Sequence, residues 1–482
     1  MTWKQIEATT PHLTYLILSS FLILYALFSH LIRNRLHLSE PPLATLVGII
    51  FGPLGAGVLD PHSWGWQDNI TQEATRLIVG IQCFAVGGEL PKAYFARHWR
   101  SVLMMLGPVM AYSWGVTALC THLVLGTDAG TSLVIGACLA PTDPVLAASV
   151  LADSKFSGRV PARLRHMLAA ESACNDGVSF PFLYAALLAV ISATVGAAVK
   201  EWFVATLLWQ CAFGLLSGVL IGQAANKLLR YSESRDFVGR SSFLVFYLLL
   251  AIFAIGLGST LGTNDFLVAF GAGTGFAWDG WFARKTKSTH LPNIIDLLLN
   301  SSMFVYFGAS IPWTHFRPGS HLPTLTIPRL LALLALILVV RRIPIVLALK
   351  RWVPDIRTYR EALFCGHFGP MGLGALFLTI EARAQLETST AEPLPHPPAH
   401  SPHKGAIEII WPVICFVVLG STMVHGLSVA VISVGSHYSR QEADRAPLIG
   451  GESEGLAGME HQGGGGESEP SVSGSEDDGP EI

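Results

Sequence analysis

Apolar stretches of about 20 residues recur from the N-terminal region to about Ser436, each long enough to cross about 30 Å of hydrocarbon. The rest of the composition fits a chain solvated by lipid. It is 51% hydrophobic with a mean hydropathy of +0.48, and only 13% of its residues are charged. A soluble protein of this size carries roughly a quarter of its residues as charges. The expected fold class is therefore an all-α polytopic membrane protein, with the lipid bilayer as its partner and no nucleic acid.

Spans are expected near 13–32, 42–60, 74–91, 101–125, 129–152, 163–194, 202–229, 241–261, 264–282, 290–311, 327–349, 358–381 and 405–434, about 13 in all. Basic residues test that count. Arg33 and Arg35, Lys92 to Arg100, Lys155 to Arg165, Lys227 to Arg240, Arg284 to Lys287 and Lys350 to Arg360 follow every second span, and the alternate loops hold few. The positive-inside rule then puts the N-terminus outside and the C-terminus in the cytosol. The start, Met1 to Pro11, lacks the basic region and cleavage site of a signal peptide, so 13–32 is expected to be a retained span.

Residues 1–434 are thus expected to form one transmembrane domain, and 435–482 a separate tail. The tail is rich in Gly, Ser and Glu, and its eleven acidic residues face only Arg440 and Arg445. It has too little apolar surface to pack and is expected to be disordered. Seven cysteines lie in apolar stretches without a C-x-x-C pair, so neither a disulfide framework nor a structural metal site is expected. Nothing calls for a cofactor or an enzymatic reaction.

Thirteen spans divide as six, a linker and six. The odd offset of seven makes the halves inverted repeats, a common plan among secondary transporters. Such repeats place the substrate where helices at matched positions are interrupted. The fifth span contains Ala140-Pro141-Thr142-Asp143-Pro144, and its counterpart, the twelfth, contains Gly366-His367-Phe368-Gly369-Pro370-Met371-Gly372-Leu373-Gly374. Two prolines three residues apart cannot continue a helix. The residue before Pro144 is also pushed out of helical geometry. The expected architecture is two six-helix inverted repeats with crossed discontinuous helices.

The sixth span carries Glu171-Ser172-Ala173-Cys174-Asn175-Asp176-Gly177. Ser172, Asn175 and Asp176 share a helical face. A carboxylate in mid-membrane is a functional hypothesis by default, and Asp176 is the leading candidate for an ion site. Hard oxygen donors suit an alkali cation, and loss of water favours a carboxylate's protonated form. One such group can hold either a proton or Na⁺, and that competition suffices for antiport. Asp143 has two readings: a ligand beside Thr142, or a charge balancing the positive N-terminal end of a half-helix. Arg342 in the eleventh span is paired with Glu171 in a structural ion pair, unless Arg341 and Arg342 both snorkel to an interface. Asp265, after Asn264, lines an access path or caps the ninth helix. Glu89 faces a cation funnel or the cytosolic interface, and His367 senses pH or simply packs. The tract from His396 to His403 reads as a solvated loop.

Together these residues resemble the monovalent cation:proton antiporter family, and above all its fungal plasma-membrane Na⁺/H⁺ members, over about Thr10 to Ser436. The likeness rests on Ala140-Pro-Thr-Asp-Pro-Val145, Glu171-Ser-Ala-Cys-Asn-Asp-Gly177, Arg341-Arg-Ile-Pro344 and Arg360-Glu-Ala-Leu-Phe-Cys-Gly-His-Phe-Gly-Pro370. It implies a cation site at Asp176 helped by Thr142, Asp143, Ser172 and Asn175. It also implies a buried pair between Glu171 and an arginine of the Arg-Arg-Ile-Pro stretch, and a homodimer. Na⁺, K⁺, Li⁺ and H⁺ are the expected substrates, with roles in pH homeostasis and salt tolerance. An intramembrane aspartyl protease would need Tyr-Asp and Gly-x-Gly-Asp settings, and neither is present. A channel would show a filter loop or a repeated pore module. A proton-coupled carrier of an organic solute is the remaining alternative, although its cavity should offer more basic or aromatic groups.

Overall fold

The computed structural model describes residues 8–36, 38–91, 93–143, 160–286, 291–395, 398 and 400–439. The second half of the fifth span with Pro144, the basic residues Lys92, Lys155, Arg159 and Lys287, His396 of the histidine tract and the acidic tail from Arg440 onward lie outside the described residues.

Regular structure among the described residues is helical throughout. In chain order the helices are α1 (Thr10–Asn34), α2 (Glu40–Phe51), α3 (Gln67–Glu89), α4 (Tyr94–Met104), α5 (Met110–Leu125), α6 (Ala129–Cys138) and α7 (Ala162–Ile191). Then come α8 (Val195–Glu201), α9 (Gly214–Ser234), α10 (Arg240–Thr260), α11 (Asp265–Phe276), α12 (Trp281–Thr286) and α13 (Leu291–Ser310). The last five are α14 (Ile327–Val340), α15 (Ile343–Leu349), α16 (Tyr359–His367), α17 (Leu373–Thr388) and α18 (Lys404–Ser439). Wide π-turns join α4 to α5 and α8 to α9. The first holds Pro108, and a local widening of the helix is one way to absorb a ring that cannot donate.

Seven of the described helical stretches are long and apolar enough to cross a membrane, and four shorter apolar helices accompany them. The shortness of α6 follows from its interruption after Cys138. Outer helices keep an apolar face turned away from the protein: α1 exposes Leu16, Ile23, Leu24 and Leu27. In water such a face would be a liability, and against acyl chains it is solvated. The interior is built by α3, α7, α17 and the first half of α18, and nearly all of α17 as far as Leu386 is buried. Helix α9 lies so close to α11 that a Cβ on Gly218 or Gly222 would strike the carbonyls of Val268 and Ala272. Small residues at such crossings let backbones approach where lipid offers no hydrophobic drive.

Asp128 caps α6, its carboxylate accepting from the Thr131 N–H at 2.9 Å and from the Thr131 hydroxyl. Partial burial pushes this carboxyl up, but the Thr131 hydrogen bonds prevail and hold it below the usual carboxylate range. The cap is therefore intact at neutral pH and is lost only as pH falls through that depressed value. Asp128→Ala should lower stability by about 1 kcal/mol, read as a lower melting temperature in detergent. An unchanged melting curve would show that the cap contributes nothing.

Three interruptions shape the centre. Residues 139–143 leave the helix after α6, and 368–372 separate α16 from α17. The third corrects an expectation. The eleventh span, expected as one continuous helix, is cut at Arg341 and Arg342, where Arg342 takes φ −129° and ψ −42°. Pro344 supplies the reason: its ring lacks an N–H and crowds the carbonyl four residues back.

Candidate ion-binding site

The first two interruptions meet. The Asp143 N–H donates to the Pro370 carbonyl at 2.8 Å, and the Leu373 N–H at the start of α17 donates to Asp143 Oδ2 at 3.0 Å. The carboxylate therefore sits on the positive N-terminal end of a half-helix, where free N–H groups favour an anion. That is the second of the two readings open for Asp143, and it does not preclude the first.

Helix α7 holds the neighbouring strip of backbone. Asn175 clamps Thr142 from both sides: Asn175 Oδ1 accepts from the Thr142 N–H at 3.2 Å, and Asn175 Nδ2 donates to Thr142 Oγ1 at 2.8 Å. Thr142 Oγ1 and Ser172 Oγ are 2.9 Å apart. Thus Thr142, Asp143, Ser172, Asn175 and Asp176 are brought together, all buried. One atom in the group is not satisfied. Asp176 is 1% exposed, yet its Oδ2 has no hydrogen-bond partner among the described residues. A buried acceptor left in that state is costly, and more so when charged. Its partner is to be sought in what the site binds.

Two glycines make room for these carboxylates. A Cβ on Gly374 would run into Asp176 Oδ1, and one on Gly372 into Asp143 Oδ2. Gly374→Ala should therefore displace the Asp176 carboxylate and cut transport by roughly a hundredfold, as misplacements near 1 Å can, in protein that still purifies as a single species. Full transport by Gly374→Ala would mean that the carboxylate has free space to move.

Behind the site, Arg342 forks onto Glu171, with Nη1 to Oε1 at 2.6 Å and Nη2 to Oε2 at 2.7 Å, while its Nε donates to the Cys365 carbonyl at 2.9 Å. Arg341 does something the sequence reading missed. It donates to the carbonyls of Leu139 and Gly369, and more loosely to those of Ala140 at 3.3 Å and Pro141 at 3.4 Å. One guanidinium thus serves carbonyls orphaned at both interruptions. The cut in the eleventh span is what lets the two adjacent arginines diverge.

The remaining candidates lie apart. Asp265 starts α11, its Oδ2 3.2 Å from Arg76 Nε, and accepts from Ser259 Oγ at 3.1 Å. Asn264 is the cap of that helix, accepting from the Leu267 N–H at 3.1 Å, and its Nδ2 donates to the carbonyl of Gly177 at 2.7 Å. Glu89 is the last residue of α3 and is exposed. His367 ends α16, with Nε2 3.0 Å from Ser428 Oγ. A further buried group was missed. Glu381 accepts from Tyr184 Oη at 2.9 Å and Gln72 Nε2 at 3.1 Å. It stood at the expected end of the twelfth span, where a carboxylate reads as interfacial, but α17 runs on to Thr388 and buries it.

The family described as "Sodium/hydrogen exchanger, transmembrane" matches residues 17–435. The chain belongs to the sodium/hydrogen exchanger family. This exchanger-family chain is 46% identical over 445 residues to a probable Na⁺/H⁺ antiporter of Schizosaccharomyces pombe, covering 91% of itself and 58% of the relative. It is 42% identical to a Na⁺/H⁺ antiporter of Saccharomyces cerevisiae, covering 91% of itself and 45% of that protein. The chain thus spans about half the length of these two relatives. A second S. pombe Na⁺/H⁺ antiporter, at 35% identity, is matched over 90% of this chain and 92% of its own length. A solved structure of a sodium proton antiporter from Methanocaldococcus jannaschii covers 87% of this chain and 99% of that one, with a TM-score of 0.63 at 18% identity. At that identity the likeness speaks for the fold alone.

Proposed function

We propose that this protein exchanges Na⁺, and with it K⁺ or Li⁺, for H⁺ across a membrane, the cation and the proton competing for Asp176. The observation that carries this reading is the buried Oδ2 of Asp176, which has no partner among the described residues. A proton satisfies that oxygen, and so does a cation, but not both at once. Hydroxyl and amide oxygens of Thr142, Ser172 and Asn175, with the Asp143 carboxylate, supply hard donors of the kind alkali cations take. The relatives' names, Na⁺/H⁺ antiporters, point the same way.

In this reading thirteen spans form two six-helix inverted repeats whose interrupted helices cross at the Asp143–Pro370 and Asp143–Leu373 contacts. The bundle bearing α6, α7, α16, α17 and α18 moves against the rest to give alternating access. Protonated and cation-loaded Asp176 both permit the movement. Ionised and empty Asp176 resists it, because a bare charge is costly in hydrocarbon. Glu171–Arg342 is a structural ion pair joining the two halves of the chain, and Asp265, Glu89 and His367 are secondary positions on the pathway or in pH response. The protein acts as a homodimer in the plasma membrane, with its acidic tail in the cytosol.

Proteoliposomes loaded with a pH dye test the proposal directly. With an imposed proton gradient, adding Na⁺, K⁺ or Li⁺ should trigger proton flux, and the apparent cation affinity should strengthen as pH rises and proton competition falls. Absence of flux with every alkali cation, in protein shown to be folded, would overturn the reading.

A further inference from the structure

A second polar group lies between α3 and α13 and takes no part in the site above. Gln82 Nε2 donates to Asp296 Oδ1 at 3.1 Å and lies 3.5 Å from Asn300 Oδ1. Asp296 and Asn300 are four residues apart on α13 and share a face. Gln82 and Asn300 are 4% and 0% exposed. Even so, Gln82 Oε1 and Asn300 Nδ2 have no hydrogen-bond partner among the described residues. Asp296 itself is only half-buried. A carboxylate that keeps some access, flanked by two fully buried amides each half-satisfied, is an unusual thing to place inside an apolar bundle, since a buried polar atom left without a partner is costly.

Its position is informative. Gln82 is seven residues, about 10 Å, from the end of α3 at Glu89, and Asp296 is five residues, about 7 Å, from the start of α13. Both ends belong to the face whose flanking segments carry Arg97, Arg100, Arg284 and Lys285, the cytosolic side by the positive-inside rule. Deeper in, Cys83, next to Gln82, is within electrostatic reach of Asp176 and Asp143. Asp296 in turn feels the charges of Glu40, Asp143 and Glu89. The group therefore lies about two helical turns in from the cytosolic ends of α3 and α13, one residue along α3 from Cys83.

We propose that Asp296, Gln82 and Asn300 form a second, weaker alkali-cation site, a station on the cytosolic approach to Asp176. A cation seated against Asp296 would be completed by Gln82 Oε1, after rotation of that amide, and by Asn300 Oδ1. Carboxylate and amide oxygens are the ligands hard cations take. The station rests on the exchange reading above, because it is placed on that pathway.

Equilibrium binding of radioactive sodium to the purified full chain tests it without transport. In Asp176→Asn, saturable sodium binding should persist at reduced affinity. Adding Asp296→Asn should weaken that residual binding about tenfold or more, equivalent to at least 1.4 kcal/mol, whereas Asp296→Glu should retain it. Gln82→Leu, which leaves every charge in place, should weaken it several-fold and serves if Asp296→Asn does not fold. In proteoliposomes, Asp296→Asn should raise the cation KM from the cytosolic face alone, with kcat little changed. Loss of all saturable binding in Asp176→Asn, or residual binding indifferent to both Asp296→Asn and Gln82→Leu, would overturn the station. Residual binding that depends on Asp296, in protein that exchanges no cation for protons, would support the station and retire the exchange reading instead.

Discussion

Asp176→Asn should reduce cation-driven proton flux to the level of protein-free vesicles. The substitution keeps the shape of the side chain, so the tight approach of Gly374 and the Thr142–Asn175 clamp are preserved. On the proposed mechanism it removes both the charge that would hold the cation and the group that would take the proton, and so deletes both half-reactions at once. Taking away one member of a buried ion pair costs about 3–5 kcal/mol, a loss of more than about a hundredfold in affinity. A useful control comes from stability. Asp176 Oδ2 is buried without a partner among the described residues, so a neutral amide there should leave the melting temperature unchanged or higher. Lost flux with an undiminished melting temperature separates a transport residue from a structural one. Retained flux would remove Asp176 from the centre of the mechanism.

Much of this centre was legible in the residues, for a physical reason. Prolines and glycines interrupt helices by local chemistry, and Pro141 and the Gly369-Pro370-Met371-Gly372 run needed no tertiary context to be recognised as interruptions. Helical spacing likewise put Ser172, Asn175 and Asp176 on one face. Where side chains find their partners was legible only in part: Arg342 was paired with Glu171 from the sequence, but the carbonyl partners of Arg341 were not foreseen. Arg341 and Arg342 are adjacent and chemically identical, and only the cut introduced before Pro344 sends one to Glu171 and the other to carbonyls at both interruptions. Pro344 was in plain view, but the span was read straight through it from 327 to 349, with both arginines inside. Glu381 and Asp296 share a different difficulty. Each stands near the end of an apolar stretch, where a charge normally meets water, and only the packing of α3 against α13 and α17 takes them inside.

The Glu171–Arg342 pair should be the most damaging single contact to break. Both side chains are buried, at 2% and 5% exposure, and the fork is bidentate. Arg342→Ala leaves Glu171 ionised with no counter-charge, or protonated at a cost, and also deletes the bond to the Cys365 carbonyl next to the second interruption. A loss of about 3–5 kcal/mol follows, a large share of the 5–15 kcal/mol that stabilises an ordinary domain. The variant should give aggregated protein on size-exclusion chromatography and a melting temperature far below wild type. Glu171→Gln should be milder, because Arg342 keeps the Cys365 carbonyl. The double change Glu171→Leu with Arg342→Met distinguishes two causes of the damage. If the harm is an uncompensated charge, removing both charges recovers most of the stability, although Arg341 still has to hold the ends of α6 and Gly369. If the double variant is as unstable as Arg342→Ala, what matters is the directional bonding of the guanidinium to Cys365 and Glu171, and packing cannot replace it. A wild-type melting temperature in Arg342→Ala would refute both accounts.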